Sequence, residues 1–273
     1  MPQTVFSDDV SPRTQGIVAR PRSMAPKEHG AWGQLVIPLA VVLGLGRPRL
    51  VALGLALAVV AMFLAHEPLS VLIGKRGTRA VREVGQLAKR RLLLLIGTAM
   101  LIGGVAAMAG SWKVRIAVLA SLGLLLVALF GFLVKGQERS TFGELWIAWT
   151  LPFAAVPVAL ASEVSLRITL VVWLSFALAY CAGIFGVRAI IRDYREGRRD
   201  AGWWGLGVTL VVILLLFTLS KQAAMAALLF WLVVAGCRAL RPTPKWLKHV
   251  GWTLVGASVL QAVCLLVALR AWG

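Results

Sequence analysis

An all-α protein that crosses a membrane about nine times is the fold class this sequence predicts, and three observations predict it. Hydrophobic residues fill 59% of the 273 positions, while Asp, Glu, Lys and Arg together supply 15%, well short of the roughly 25% charged residues of a soluble domain. The apolar residues form runs of about 20, the length a helix needs to cross the hydrocarbon core, with neither the heptad spacing of a coiled coil nor the polarity of a disordered chain. The 29 Lys and Arg against 11 Asp and Glu, a net charge of +18, gather between alternate runs.

Residues 1–27 hold Pro2, Pro12, Pro21 and Pro26 with four basic side chains and no apolar core of signal-peptide type, and they read as a flexible cytoplasmic tail. Residues 28–273 read as a single transmembrane helical domain. Its candidate spans lie near 29–46, 50–66, 91–110, 115–134, 143–162, 167–188, 202–220, 222–240 and 249–271. The Gly46-Arg47-Pro48-Arg49 break leaves the first two at the short end of the allowed range. Pro152 and Pro157 are expected to bend the fifth, which is tolerable where neighbouring helices re-satisfy the freed carbonyls. Trp32, Trp112, Trp146, Trp203, Trp204, Trp246 and Trp272 fall near span ends, as interfacial anchors do. Cys181, Cys237 and Cys264 stand alone in apolar runs without CxxC spacing, and read as buried thiols.

Basic residues test the span count, because one missed helix would scramble their alternation between the two sides. With the N-terminus inside, 22 Lys and Arg fall on inner segments and 7 on outer ones, which supports nine helices with a cytoplasmic N-terminus and an external C-terminus. Topology thus accounts for the charge without nucleic acid. The basic segments suit anionic headgroups or a phosphorylated substrate at about 1 kcal/mol per residue near the surface. Ten of the eleven acidic residues, all but Glu163, share the cytoplasmic side, so chemistry is expected there.

Three clusters on that side are candidates for function. In Lys27-Glu28-His29-Gly30-Ala31-Trp32, Glu28 and Trp32 are four apart and share a helix face. The carboxylate either points along the ring into the bundle or simply favours a helix N-terminus while Trp32 anchors the interface. His66-Glu67-Pro68 is expected to end the second span, followed by Lys75, Arg76, Arg79 and Arg82. It reads either as a site for a metal-bridged diphosphate or as a solvated helix end before an amphipathic surface segment. In the third cluster, Arg188, Arg192, Arg195 and Arg199 fall within about 60° of one another on a helix, with Asp193, Glu196 and Asp200 on a second stripe about 100° around. Three carboxylates that hold Mg²⁺ beside phosphate-binding guanidinium groups, or a hydrated helix end laced by weak pairs, both fit that pattern.

Glu28-His29-Gly30-Ala31-Trp32 together with His66-Glu67-Pro68 resembles the YwiC-like family of bacterial membrane proteins. The whole-chain layout is similar to the UbiA superfamily of intramembrane prenyltransferases, whose nine helices surround a lipid-accessible cavity. In that superfamily, aspartate-rich motifs after the second and sixth helices hold Mg²⁺ and an isoprenyl diphosphate. Asp193-Tyr194-Arg195-Glu196 through Asp200-Ala201-Gly202 looks like a diverged second motif, with Gly186 in place of its earlier Asp. His66-Glu67-Pro68 replaces the Asn-Asp-x-x-Asp of the first. The resemblance implies a UbiA-like helical bundle in a bacterial cytoplasmic (inner) membrane and Mg²⁺ as the cofactor. The expected ligand is a membrane lipid or isoprenoid phosphate, bound or transferred in a cytoplasm-facing pocket with apolar walls.

In that pocket Glu28, His29, His66 and Glu67 are the candidate catalytic residues. Arg188, Arg192, Trp32, Lys75 and Arg76 would bind substrate, and Asp193, Glu196 and Asp200 would hold the metal. The competing expectation is a transporter or non-catalytic membrane component in which Glu28, His66 and Glu67 relay protons, although the span midplanes carry almost no ionisable residues to continue such a route. Reporter fusions test the topology: a cytoplasm-active reporter on the N-terminus should give signal and the same reporter on the C-terminus none, and signal from both ends would remove a span from the count.

Overall fold

The computed structural model describes residues 29–134, 140–196, 203–240 and 242–272. Its helices are α1 (His29–Leu45), α2 (Leu50–Leu72), α3 (Thr78–Ala109), α4 (Trp112–Val127, continued by a π-helical turn Ala128–Val134), α5 (Thr141–Phe153), α6 (Ala155–Ala161), α7 (Leu166–Glu196), α8 (Trp203–Leu216), α9 (Lys221–Ala239) and α10 (Leu247–Trp272). No strand occurs among the described residues. Since α5 and α6 are the two halves of one span, the apolar helices match the nine expected positions. Seven spans among the described residues are long and apolar enough to cross a membrane, and α1 and α8 are apolar but shorter. The chain is an integral membrane protein by this measure.

The bend in the fifth span falls at Ala154, two residues past Pro152. Pro152 cannot donate to the carbonyl four residues back, and beside that carbonyl Trp173 of α7 donates its indole N–H to Trp149 O at 3.1 Å. Elsewhere the ends differ from the hydropathy boundaries. His66-Glu67-Pro68 does not end the second span, because α2 runs through Pro68 to Leu72. The third helix begins at Thr78, not near 91, and the sixth span, α7, continues to Glu196 and not 188. Hydropathy marks where a helix meets lipid, and a helix continues into water wherever a neighbour pairs with it. Val71 and Ala88, with Leu72 and Val84, form such a pairing beyond the apolar stretch. α8, by contrast, is shorter than its apolar run. Its last turn tightens into bonds from Phe217, Thr218 and Leu219 to carbonyls three residues back. Of the cysteines only Cys181 is buried, and Cys237 and Cys264 are half-buried, because lipid replaces protein around outward-facing apolar side chains.

α7 is the most enclosed span, with 67% of its apolar window buried, and it packs against α1, α5, α6, α8, α9 and α10. Phe176 at its middle is fully enclosed in the main core. The ends of the bundle opposite the basic segments are closed by few polar contacts. Arg47 N–H donates to Ser162 O at 2.8 Å, Arg49 pairs with Glu163 at 2.7 Å, and a Cβ on Gly46 would lie 2.4 Å from Ser162 O, so only glycine allows that approach.

α2 and α3 form the most extensive helix pair, and their seam is built from Ala58, Ala61 and Ala99 with Gly54 and Gly103. Small residues let helices approach closely where lipid provides no hydrophobic drive to associate. A Cβ on Gly103 would sit 2.9 Å from Ala58 Cβ, whereas one on Gly97 meets nothing within 4 Å. Gly103→Leu should therefore lower thermal stability in detergent by about 1–3 kcal/mol, the usual penalty for overpacking, while Gly97→Leu should leave it unchanged. Equal melting temperatures for the two variants would contradict this seam.

Candidate functional site

Three ion pairs gather the chemistry at one end of the bundle. In the first, Arg76, in the turn after α2, folds back to place Nη2 2.5 Å from Glu67 Oε1. Gly74 and Gly77 allow that turn, with φ of 79° and 87°. Glu67 is only 6% exposed, so its charge is desolvated and depends on the guanidinium. His66, next to it, is exposed. One turn nearer the bundle, Phe63 of α2 meets Trp32 of α1 edge-on at 4.8 Å. The first and second clusters of the sequence therefore adjoin, through Trp32 and the helix face that carries Glu67.

The second pair joins α7 to α5, where Arg188 Nε donates to Glu144 Oε2 at 2.6 Å and Nη1 to Thr141 Oγ1 at 2.9 Å. Ser140 caps the start of α5 by accepting from Gly143 N–H at 3.0 Å, which fixes where Thr141 and Glu144 stand. The third joins α7 to α9. Arg238, 3% exposed, donates from Nη1 to Asp193 Oδ2 at 2.6 Å, and its guanidinium carbon lies 5.0 Å from the Trp203 ring centre at the start of α8. Asp193 Oδ1 is buried without a hydrogen bond.

The third cluster stands apart from the first two. Tyr180 Oη donates to Gly33 O at 3.3 Å, which sets α7 against α1, and Asp193 lies thirteen residues farther along α7, about 20 Å at 1.5 Å per residue. Among the described residues no three His, Cys, Asp or Glu side chains come together, so His66, Glu67 and Asp193 do not form one ligand set. Glu28 and Asp200 lie outside the described residues, as do the side chains of His29 and Glu196. Of the three candidate metal ligands, Asp193 alone has a described side chain. It offers one oxygen, Oδ1, where Mg²⁺ takes near-octahedral oxygen ligation. Lys75 is half-buried in the turn beside Arg76, and Arg192 is exposed on α7. A Cβ at Gly186 would lie 2.3 Å from Val234 Cγ1. The close packing of α7 on α9 thus occupies the place of the second motif's earlier aspartate.

Glu144 and Arg238 are not among the candidate site residues of the sequence, and each holds one that is, Arg188 and Asp193, while Trp203, expected only as an interfacial anchor, faces Arg238. Glu144 carried a faint signal, as the one acid in the first turn of an otherwise apolar span. A further polar contact lies deeper. Gln261 of α10, fully buried, donates its amide to Ser175 O and Oγ at 3.1 Å, and Ser175 donates to Ala223 O at 2.9 Å. This ties α10, α7 and α9 with uncharged groups.

Residues 25–159 match the family model described as YwiC-like protein. The YwiC-like segment covers just under half of the chain and runs from the start of α1 into α6, so it contains Trp32, the Glu67–Arg76 pair and Glu144. Arg188, Asp193 and Arg238 lie beyond it. No curated protein and no solved structure matches the chain.

Removing one partner of a buried pair leaves a charge without compensation, at a cost of about 3–5 kcal/mol. Asp193→Ala should fall near the lower figure, because its carboxylate is partly exposed and Trp203 still faces Arg238. The double variant Asp193→Ala/Arg238→Met should recover much of that loss in thermal unfolding. Additive losses in the double-mutant cycle would show that the two side chains are not coupled.

Proposed function

We propose that this YwiC-like membrane protein binds a lipid-linked phosphate or diphosphate of isoprenoid type at the charged end of a UbiA-like bundle, on the cytoplasmic side. The observation that carries this reading is the Glu67–Arg76 pair, in which a buried carboxylate one turn from the Trp32–Phe63 contact holds a half-exposed guanidinium. That contact is the point where aromatic rings of α1 and α2 meet. A phosphate competes with Glu67 for Arg76 through the same planar fork of donors, and the apolar chain of such a ligand is compatible with the lipid-facing surfaces of the neighbouring helices. Arg188, Arg192 and Lys75 add positive charge at the same end. When bound, Mg²⁺ would screen a diphosphate. Asp193 stands apart from the Arg76 site, so the described residues offer that ion no ligand set there, and Glu67, His66 and the segment around Glu28 and His29 would position the headgroup.

The transporter alternative draws less support from the bundle interior. The polar contact that ties α7, α9 and α10 in the bundle interior is made by a serine, an amide and backbone carbonyls, none of which titrates near neutral pH.

Titrating purified protein with geranylgeranyl diphosphate, with and without Mg²⁺, and following the complex by native mass spectrometry tests the reading. Arg76→Gln should weaken binding about tenfold, the worth of one charge-assisted hydrogen bond, and Glu67→Gln should tighten it by releasing Arg76. Unchanged binding in Arg76→Gln and Arg188→Gln alike would remove the basis of the proposal.

A further inference from the structure

We propose that α3 carries a binding site for acidic phospholipid, formed by Lys89, Arg90 and Arg91 at the boundary between its lipid-facing and projecting halves. α3 has 32 residues, about 48 Å at 1.5 Å per residue, against a hydrocarbon core of about 30 Å. Residues 92–109 carry no charge and extend about 27 Å, so they fill the core and leave residues 78–91 outside it. Lys89, Arg90 and Arg91 are the first residues past that stretch, level with the headgroups. Three successive cations spread over about 200° of the helix circumference. They make a collar around α3, with Lys89 and Arg90 exposed and Arg91 turned partly toward α2.

The surface beneath the collar is shaped for an acyl chain. Lys89 stands one turn above Leu93 and Arg90 one turn above Leu94, and both leucines are exposed. Below Leu94 the same face continues through Leu101, Val105 and Met108, all exposed. It ends beside Trp112, where Arg115 donates to Met108 O at 2.8 Å. A lipid lying on this stripe has its chain on apolar side chains and its phosphate at Lys89 and Arg90. Charge completes the argument. Glu83, the one acid on α3, is engaged by Arg79 at 2.6 Å, two turns farther out, and no ion pair holds Lys89, Arg90 or Arg91 among the described residues. Arg79 and Arg82 lie about 12–16 Å beyond Arg90 along the axis, past the headgroup layer, and do not belong to the site.

This separation sets the test. Purified protein is titrated with phosphatidylglycerol or phosphatidylcholine, and bound lipid is counted by native mass spectrometry. Lys89→Gln/Arg90→Gln should weaken phosphatidylglycerol binding about fivefold for each cation removed and leave phosphatidylcholine unchanged. Arg79→Gln/Arg82→Gln removes the same charge farther out and should leave both lipids unchanged. Equal loss in the two double variants would reduce the effect to overall charge and overturn the site, and so would unaltered phosphatidylglycerol binding in Lys89→Gln/Arg90→Gln. All four side chains are exposed, and circular dichroism with size-exclusion elution verifies that the variants fold alike. Geranylgeranyl diphosphate binding through Arg76 is a separate readout, so either site can fail alone.

Discussion

Hydrocarbon offers neither hydrogen bonds nor solvation for charge, and the arrangement of this molecule follows from that one constraint. It forces the backbone into helices, whose peptide groups satisfy one another, and it drives ionisable side chains to the ends. What remains inside is packing, in which α7 is enclosed by six neighbours and the α2–α3 seam closes through glycine and alanine. A few neutral polar contacts such as Gln261–Ser175 tie the helices together. Of the charges expelled from the middle, three carboxylates at one end each take a guanidinium from another element, and Arg49 pairs with Glu163 at the other.

Those pairs also limit what the end can do. Glu67, Glu144 and Asp193 are already neutralised by Arg76, Arg188 and Arg238, so an incoming anion gains one of these three guanidinium groups only by displacing its carboxylate. The three pairs differ in how readily they yield. Arg76 is half in solvent on a glycine-flanked turn, whereas Arg238 is enclosed between Asp193 and Trp203. The half-exposed partner and the enclosed one suit different roles, contact with a ligand for Arg76 and fixing of the α7–α8–α9 corner for Arg238.

The spans were legible because a bilayer imposes length and apolarity on consecutive residues, which is a one-dimensional signal. The bend near Pro152 was legible for the same local reason. Helix ends were not, since Leu69–Leu72 and Thr78–Arg91 are held helical by each other across a turn and not by their own hydropathy. Pairing partners were further out of reach. Arg188 and Glu144 are 44 residues apart and Asp193 and Arg238 are 45 apart, separations at which a single sequence has no periodicity to reveal contact. Gln261 was passed over because one amide barely lowers the hydropathy of its run, although in an apolar interior it needed a partner.

The tight seam between α2 and α3 has a mechanical consequence. Two helices closed through glycine and alanine over residues 54–61 and 99–106 and joined again at Val71 and Ala88 tilt as one rod, embedded over about 27 Å and projecting over about 20 Å at the α3 end. Such a rod is a lever whose fulcrum is the membrane surface. A bilayer that thins or thickens changes the tilt of an embedded helix, and the lever converts that tilt into a sideways displacement of the Arg76 turn of comparable size to the movement at the buried end. A change in local membrane thickness would thus shift the Glu67–Arg76 pair without any ligand touching it.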